Sequence, residues 1–258
     1  LSPVADELLG RPYFDWRGQA ERWHAAVAEL GFGAALRRNV SDRLDLAALL
    51  GHDLLYVTPN PLPSSHAAAP PSQAAADETD DPVERVQARN SVKRAGLETS
   101  AGTWKGNPGP SFEVYELFRR EMEHRSLDIP LIVPAYAHGV WTDTDLMQTM
   151  ALEPEVAHEH FALATEAVSR TIRHYLALGI RHLGIGGDFA GKTPLISREM
   201  YRSFIMPELR KLAQLIHEAG GHAVNTSDGD LWYVIEDFLN VTEVDGYMEI
   251  DQGAGMEL

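Results

Sequence analysis

Arg181-His182-Leu183-Gly184-Ile185-Gly186-Gly187-Asp188 is a short apolar run that follows a long helical segment and stops on two glycines and an acid. Forty residues on, the arrangement returns in His222-Ala223-Val224-Asn225-Thr226-Ser227-Asp228-Gly229-Asp230, again after an amphipathic helix. Parallel strands need a helical crossover between them, so two consecutive helix-to-strand units predict a parallel sheet. Because both units end in an acidic turn, chemistry is expected at the carboxyl edge of that sheet, where the loops from strand to helix gather.

The alternation extends through the chain. Trp16, Ala20, Trp23, Val27 and Leu30 recur at helical spacing until Gly31, Leu46 to Leu50 makes a short helix closed by Gly51, and Leu54 to Val57 is a strand ended by Pro59 and Pro61. Phe112 to Met122 reads as a helix, and Leu131 to Pro134 as a buried strand running into Ala135-Tyr136-Ala137-His138-Gly139. Glu153-Pro154 opens a helix striped with Val156, Leu163, Ala164, Ala167, Val168, Ile172 and Leu176, which Gly179 terminates. Ser197 is a candidate N-cap, Pro207 either kinks that helix or starts another, and Leu209, Leu212, Ile216 and Ala219 face inward. The Asp228 turn leads to a helix with Leu231, Val234, Ile235, Phe238 and Leu239, then to a strand from Val244 to Ile250. This regular alternation fits a barrel or a doubly wound sheet.

The remaining stretch, 63–110, reads as a mobile loop or lid inserted into a single domain of residues 1–258. Pro63 to Asp81 is rich in Ala, Pro, Ser and acid, and Gly96 to Pro110 carries glycine and proline around Trp104.

Charge and composition narrow the partners. A formal charge of −16 argues against nucleic acid and against anionic membrane surfaces, and a small-molecule substrate is expected. There is no cysteine, hence no disulfide or thiolate chemistry within the chain. Neither a membrane-spanning apolar run nor a secretory leader is visible, so the expected location is cytoplasmic. Gly186 and Gly191-Lys192-Thr193 have the spacing of a phosphate loop, but Asp188 would put a carboxylate into the phosphate cradle.

Gly186-Gly187-Asp188, Pro194-Leu195-Ile196-Ser197-Arg198-Glu199-Met200-Tyr201 and Phe204-Ile205-Met206-Pro207 together resemble the uroporphyrinogen decarboxylase superfamily, which includes corrinoid-dependent methyltransferases. Gly139-Val140-Trp141-Thr142 resembles the family's Gly-Pro-Phe-Thr turn. Ser227-Asp228-Gly229-Asp230 resembles its His-Ser-Asp-Gly or His-Ser-Cys-Gly turn, and Glu249 through Gly255-Met256 its Glu-x-x-Ala-Gly-Met segment. The resemblance runs from about residue 112 to the C-terminus. It implies an α/β fold, a (β/α)8 TIM barrel with its active site at the carboxyl ends of the strands. The chain stops at Leu258, short of the family's last strands, so a truncated barrel, a fragment or completion by another chain is expected.

Within that superfamily the absences discriminate. Porphyrinogen decarboxylases carry an Arg-Gln-Ala-Gly-Arg element and a Phe-Ser-Asp segment, for which Val92-Lys93-Arg94-Ala95-Gly96 and Tyr56-Val57-Thr58-Pro59 are the positional counterparts. A substrate with many carboxylates needs several cations, and their loss weakens that reading. Thiol-directed methyltransferases carry a zinc site of His-x-Cys and a later Cys. Thr226 and Asp228 stand at the first two positions here, which disfavours zinc. The resemblance then implies a small-molecule methyltransferase that demethylates a methoxy or methylamine donor. The methyl acceptor is a corrinoid on a partner protein, with no tightly bound cofactor in this chain. Decarboxylation of a porphyrinogen or another carboxylate is the alternative, and a non-catalytic binding module the second. A homodimer is compatible with each.

Asp188, Asp228 and Glu249 are the candidate catalytic residues. Asp188 and Asp228 at strand ends suit hydrogen bonding to substrate or general acid-base work, but the first also suits a helix N-cap and the second an ordinary Asp-Gly turn. Glu249 reads as lying within a strand, where a carboxylate needs a polar barrel mouth. Tyr136, His138, Trp141, Asn225 and Tyr247 are the candidate substrate-binding residues, with a backbone-bonded His138 as the plain alternative.

Overall fold

The computed structural model describes residues 2–62, 79–101 and 110–257. Most of the Pro63 to Asp81 stretch, and Trp104, lie outside them. The chain divides into two compact units, residues 1–69 with 108–132 and residues 70–107 with 133–258.

The first unit holds α1 (Ser2–Leu9), α2 (Ala20–Leu30), α3 (Phe32–Leu50), β1 (Leu55–Tyr56) and, beyond the chain stretch assigned to the second unit, a helix at Glu113–Arg125. Trp23 anchors it, edge-on to Trp16 at 5.2 Å and to Phe32 at 6.0 Å between ring centroids. The sequence suggested only the last turn of α3 because its inward face carries polar groups. Asn39 donates to the Phe14 carbonyl at 2.7 Å, and buried Asp42 accepts from Arg11 Nε at 2.8 Å. Both pairs satisfy groups whose burial would otherwise cost about 1 to 3 kcal/mol each. Gly51 closes α3 in the left-handed conformation, as its position suggested.

The second unit opens on α4 (Pro82–Ala101), followed in the first unit by α5 (the helix at Glu113–Arg125) and by β2 (Leu131–Pro134), whose last two residues return to the second unit. Then come α6 (Thr144–Leu152), α7 (Pro154–Ala177), β3 (His182–Gly186), α8 (Arg198–Met200), α9 (Met206–Glu218), β4 (His222–Thr226) and β5 (Gly246–Met248). Helix α4 corrects the sequence reading of 63–110 as loop, and Val92 to Gly96, the positional counterpart of the absent Arg-Gln-Ala-Gly-Arg element, lies in its interior. Its inward stripe is Val86, Asn90, Lys93 and Leu97, and the two polar members hide the apolar period.

Among the described residues the sheet has five parallel strands in the order β1-β2-β3-β4-β5, an α/β architecture in which each strand neighbours the next in sequence. His182 to Gly186 pair in register with His222 to Thr226, which sets the Asp188 and Asp228 turns side by side. Helices bury the strands: Leu183, Ile185, Ala223, Ile172, Leu209, Leu212 and Ile216 are fully inside, each large aliphatic one contributing about 1.5 to 3 kcal/mol. Ala219 is exposed, against expectation, because α9 ends at Glu218.

Between α8 and α9 the backbone makes a π-helical turn at Tyr201–Ile205, and Pro207 sits in the first turn of α9 directly after it. The helix expected after Asp228 starts later than its sequence suggested: turns at 232–234 lead into a helical stretch, α at 235–236 and π-helical at Asp237–Val241. No described helix is long and apolar enough to cross a membrane.

Candidate active site at the carboxyl edge of the sheet

The carboxyl ends of β3 and β4 are locked by backbone contacts. The amides of Val140 and Trp141, in the chain leaving β2, donate to the Asp188 carbonyl at 2.8 and 2.9 Å, while the Gly187 amide donates to the Thr226 carbonyl at 2.9 Å. Gly186 and Gly187 have φ of 102° and 139°, and a Cβ on either would come within 2.6 Å of a neighbour, Asn225 Oδ1 in one case and the Gly139 amide nitrogen in the other. The two glycines therefore let three strand ends meet. Lys192 and Thr193 lie in the exposed loop that continues to the Ser197 cap of α8, so no helix N-terminus receives them and the phosphate-loop spacing has no cradle.

This framework fixes Asp188, whose Oδ1 accepts from the Asp228 amide at 3.0 Å. Asp188 thus caps the neighbouring turn and stands beside the Asp228 carboxyl. Asp228 is exposed, yet the slight desolvation it suffers at the strand ends, with Asp188 and Asp251 nearby, raises its pKa above the ordinary carboxylate value. The Tyr247 hydroxyl donates to the Ser227 carbonyl at 3.2 Å, and burial together with Asp228, Asp251 and Glu249 pushes its pKa up to about 12. Tyr247 is a neutral donor in an acidic setting.

Glu249 lies just beyond β5, not within it as its sequence suggested, and has a left-handed φ of 69°. That conformation is uncommon for a side chain larger than glycine and costs of order 1 kcal/mol or more. An aromatic train floors the cluster: Tyr201 on Phe189 at 4.8 Å, Phe189 on Phe238 at 6.1 Å, and Phe238 edge-on to Tyr247 at 5.0 Å. These rings exclude water from below and account for the desolvation of Tyr247.

The other candidates divide. Tyr136 covers Gly184 of β3, and Trp141 is half exposed and packs over Gly191. Asn225 is fully buried; its amide donates to the Phe238 carbonyl at 3.0 Å and its Oδ1 accepts from the Thr226 amide at 3.0 Å, so it works inside the wall of the site. His138 is also fully buried, bonded through Nε2 to Thr165 Oγ1 at 2.8 Å and stacked on Phe161. Burial holds its pKa at about 4, hence neutral. The structure does not bring His138 or Asn225 to the acids.

Two contributors escaped the sequence reading. Asp251 acts on both Asp228 and Tyr247, and its position two residues beyond Glu249 was the available signal. The second is a polar cleft of about 530 Å³ lined by Arg89, Gly139, Trp141, Thr142, Asp143 and Asp145. Gly139 stacks its backbone on Gly187 and Asp188, so this cleft shares a wall with the acids. It went unseen because Arg89 belongs to α4. An apolar cleft of about 470 Å³ in the first unit, among Leu8, Leu46, Leu50, Leu54 and Tyr56, is lined by none of the candidate residues. Among the described residues no group of three or more His, Cys, Asp or Glu is placed to hold a metal ion.

No family model matches the chain, and no curated protein matches it significantly.

Proposed function

We propose that the protein is a small-molecule methyltransferase of the uroporphyrinogen decarboxylase type, built on that family's (β/α)8 barrel. The sequential parallel order of the strands supports the fold. The observation that carries the function is the Asp188-Asp228 pair at the strand ends, one carboxyl fixed by backbone and the other with a raised pKa. Asp228 in its protonated form gives a proton to the oxygen or nitrogen of a methoxy or methylamine donor as the bond to methyl breaks. Asp188 holds the Asp228 turn in place through its bond to the Asp228 amide. The methyl passes to a reduced corrinoid brought by a partner protein, which is a co-substrate. Tyr247 and Trp141 border the donor, and the cleft beside Gly139 gives it room.

The sign of the local charge supports this reading over decarboxylation of a porphyrinogen. The charged groups acting on Asp228 and Tyr247 are carboxylates, which would repel a polycarboxylate and suit a neutral or cationic donor.

The test is mass spectrometry of methyl loss from a panel of methoxy and methylamine compounds with a reduced corrinoid acceptor. Demethylation that disappears in Asp188→Asn and Asp228→Asn is expected. Carbon dioxide release from a porphyrinogen without demethylation would replace this reading by a decarboxylase, and silence in both assays by a binding module.

A further inference from the structure

On the outer layer of the second unit, α4 packs against α6 and α7 with two polar residues on its inward stripe. Asn90 is buried, and its amide nitrogen donates to the Val156 carbonyl at 3.0 Å and lies 3.4 Å from Glu159 Oε2. Both partners are acceptors, which fixes the amide so that Asn90 Oδ1 faces His160 Nδ1 at 3.0 Å. Nδ1 therefore carries the imidazole proton, and the lone pair of Nε2 points at Lys93 Nζ, 3.0 Å away. The order Asn90, His160, Lys93 is that of an orienting group, an acceptor and a nucleophile.

The charged and titratable groups around this amine come from every element packed on it. Arg89 lies one turn back on α4, Asp143 is the N-cap of α6, His160 is on α7, and buried His138 follows β2. Burial first, and Arg89 second, bring the Lys93 pKa down to about 8, with Asp143 opposing. The same burial brings His160 to about 3, so it stays neutral and an acceptor. Arg89 donates to Asp143 Oδ1 at 3.0 Å, yet its buried Nε has no acceptor among the described residues. Arg89 and Asp143 also line the 530 Å³ cleft.

We propose that Lys93 is a carbon dioxide site that carries a carbamate, held by Arg89 and oriented through His160 and Asn90. The Nζ lone pair forms the nitrogen-carbon bond, one π pair of carbon dioxide moves onto oxygen, and the amine proton leaves to solvent. The product is a small anion that only accepts hydrogen bonds at its oxygens, which is what the Arg89 Nε lacks. A small uncharged electrophile suits a half-buried amine better than a bulky acyl donor does. Carboxylation would exchange a cation for an anion beside the wall shared with Asp188. The inference does not depend on methyl transfer.

The full chain has four lysines, Lys93, Lys105, Lys192 and Lys211, which makes the test direct. The protein is incubated in ¹³C-bicarbonate near pH 8, carbamates are trapped with a trialkyloxonium salt, and peptides are read by mass spectrometry. The uncharged fraction of an amine with a pKa of about 8 exceeds that of an ordinary lysine on the order of a hundredfold at that pH. The labelled adduct is expected on Lys93 in that excess over Lys192 and Lys211, and to vanish in Lys93→Arg. His160→Phe, which keeps a ring but removes the acceptor, is expected to lower it severalfold. No adduct at Lys93, or equal adducts on Lys93, Lys192 and Lys211, overturns the proposal.

Discussion

Two polar regions of the second unit follow opposite rules. At the carboxyl edge, Asp188, Asp228, Glu249 and Asp251 are gathered with the same sign of charge, and the Asp228 pKa is raised by what surrounds it. Under α4, by contrast, Asn90, His160 and Lys93 interlock donor to acceptor and His138 Nε2 meets Thr165, with Arg89 Nε and His138 Nδ1 the buried atoms there that find no partner among the described residues. A satisfied buried network contributes to folding, whereas like charges at short range cost stability. Like charges kept together at strand ends are a pattern common to active sites.

The sharpest way to break this contrast is Asp228→Asn. Turnover of the methyl donor is expected to fall about 10²- to 10⁴-fold while the thermal midpoint rises slightly, because an acid whose pKa is raised by desolvation and by neighbouring carboxylates loses both penalties when neutralised. A lowered midpoint would mean that the rim is structural after all.

Acid titration followed by urea unfolding probes the other region. His138 and His160 bind protons in the fold only near about 4 and about 3, whereas unfolded histidine does so near 6.5. The unfolded chain takes up protons first, so stability is complete above about pH 6.5 and declines as pH falls through that value toward the folded pKa values. The loss is on the order of 3 to 5 kcal/mol per histidine. Asp228 contributes with the opposite sign, losing stability as pH rises through the window between its unfolded and its higher folded pKa.

Asn90→Ala is expected to cost about 1 to 3 kcal/mol in the same unfolding assay, since it strands the buried His160 Nδ1 donor. Tyr247→Phe is the mildest change. It removes one partly exposed hydrogen bond and should shift stability by less than about 1 kcal/mol, with the KM for the donor rising more than kcat falls if the phenol borders the substrate.

The strand ends were legible in the sequence because β3 and β4 are buried apolar runs stopped by glycine and acid, a pattern that local sterics impose. Ser197 and Gly51 were legible for the same local reason, as a cap that accepts from the Met200 amide and a left-handed helix end. Helix α4 was not, because Asn90 and Lys93 occupy its inward stripe and only the partner across the interface, His160, makes them inward residues. The burial of His138 and Asn225 was equally hidden. Each sits at the expected end of a strand, but Thr165 and the Phe238 carbonyl, 27 and 13 residues away, decide which way the side chain turns. Sequence located the acidic strand ends, and long-range partners chose which of the residues there face outward.

The π-helical turn at Tyr201–Ile205 gives this site a route for change by length rather than by substitution. Such a turn holds one residue more than an α-turn would. Deleting a single residue there would restore α geometry and rotate Arg198–Met200 by roughly 100° about the axis of α9. Arg198 would leave Asp237, which it now meets at 2.9 Å, and the loop reaching back to Asp188 would take a new course while α9 kept its packing. Descendants of this chain could therefore reshape the mouth of the cleft by one insertion or deletion, without rebuilding the floor beneath it.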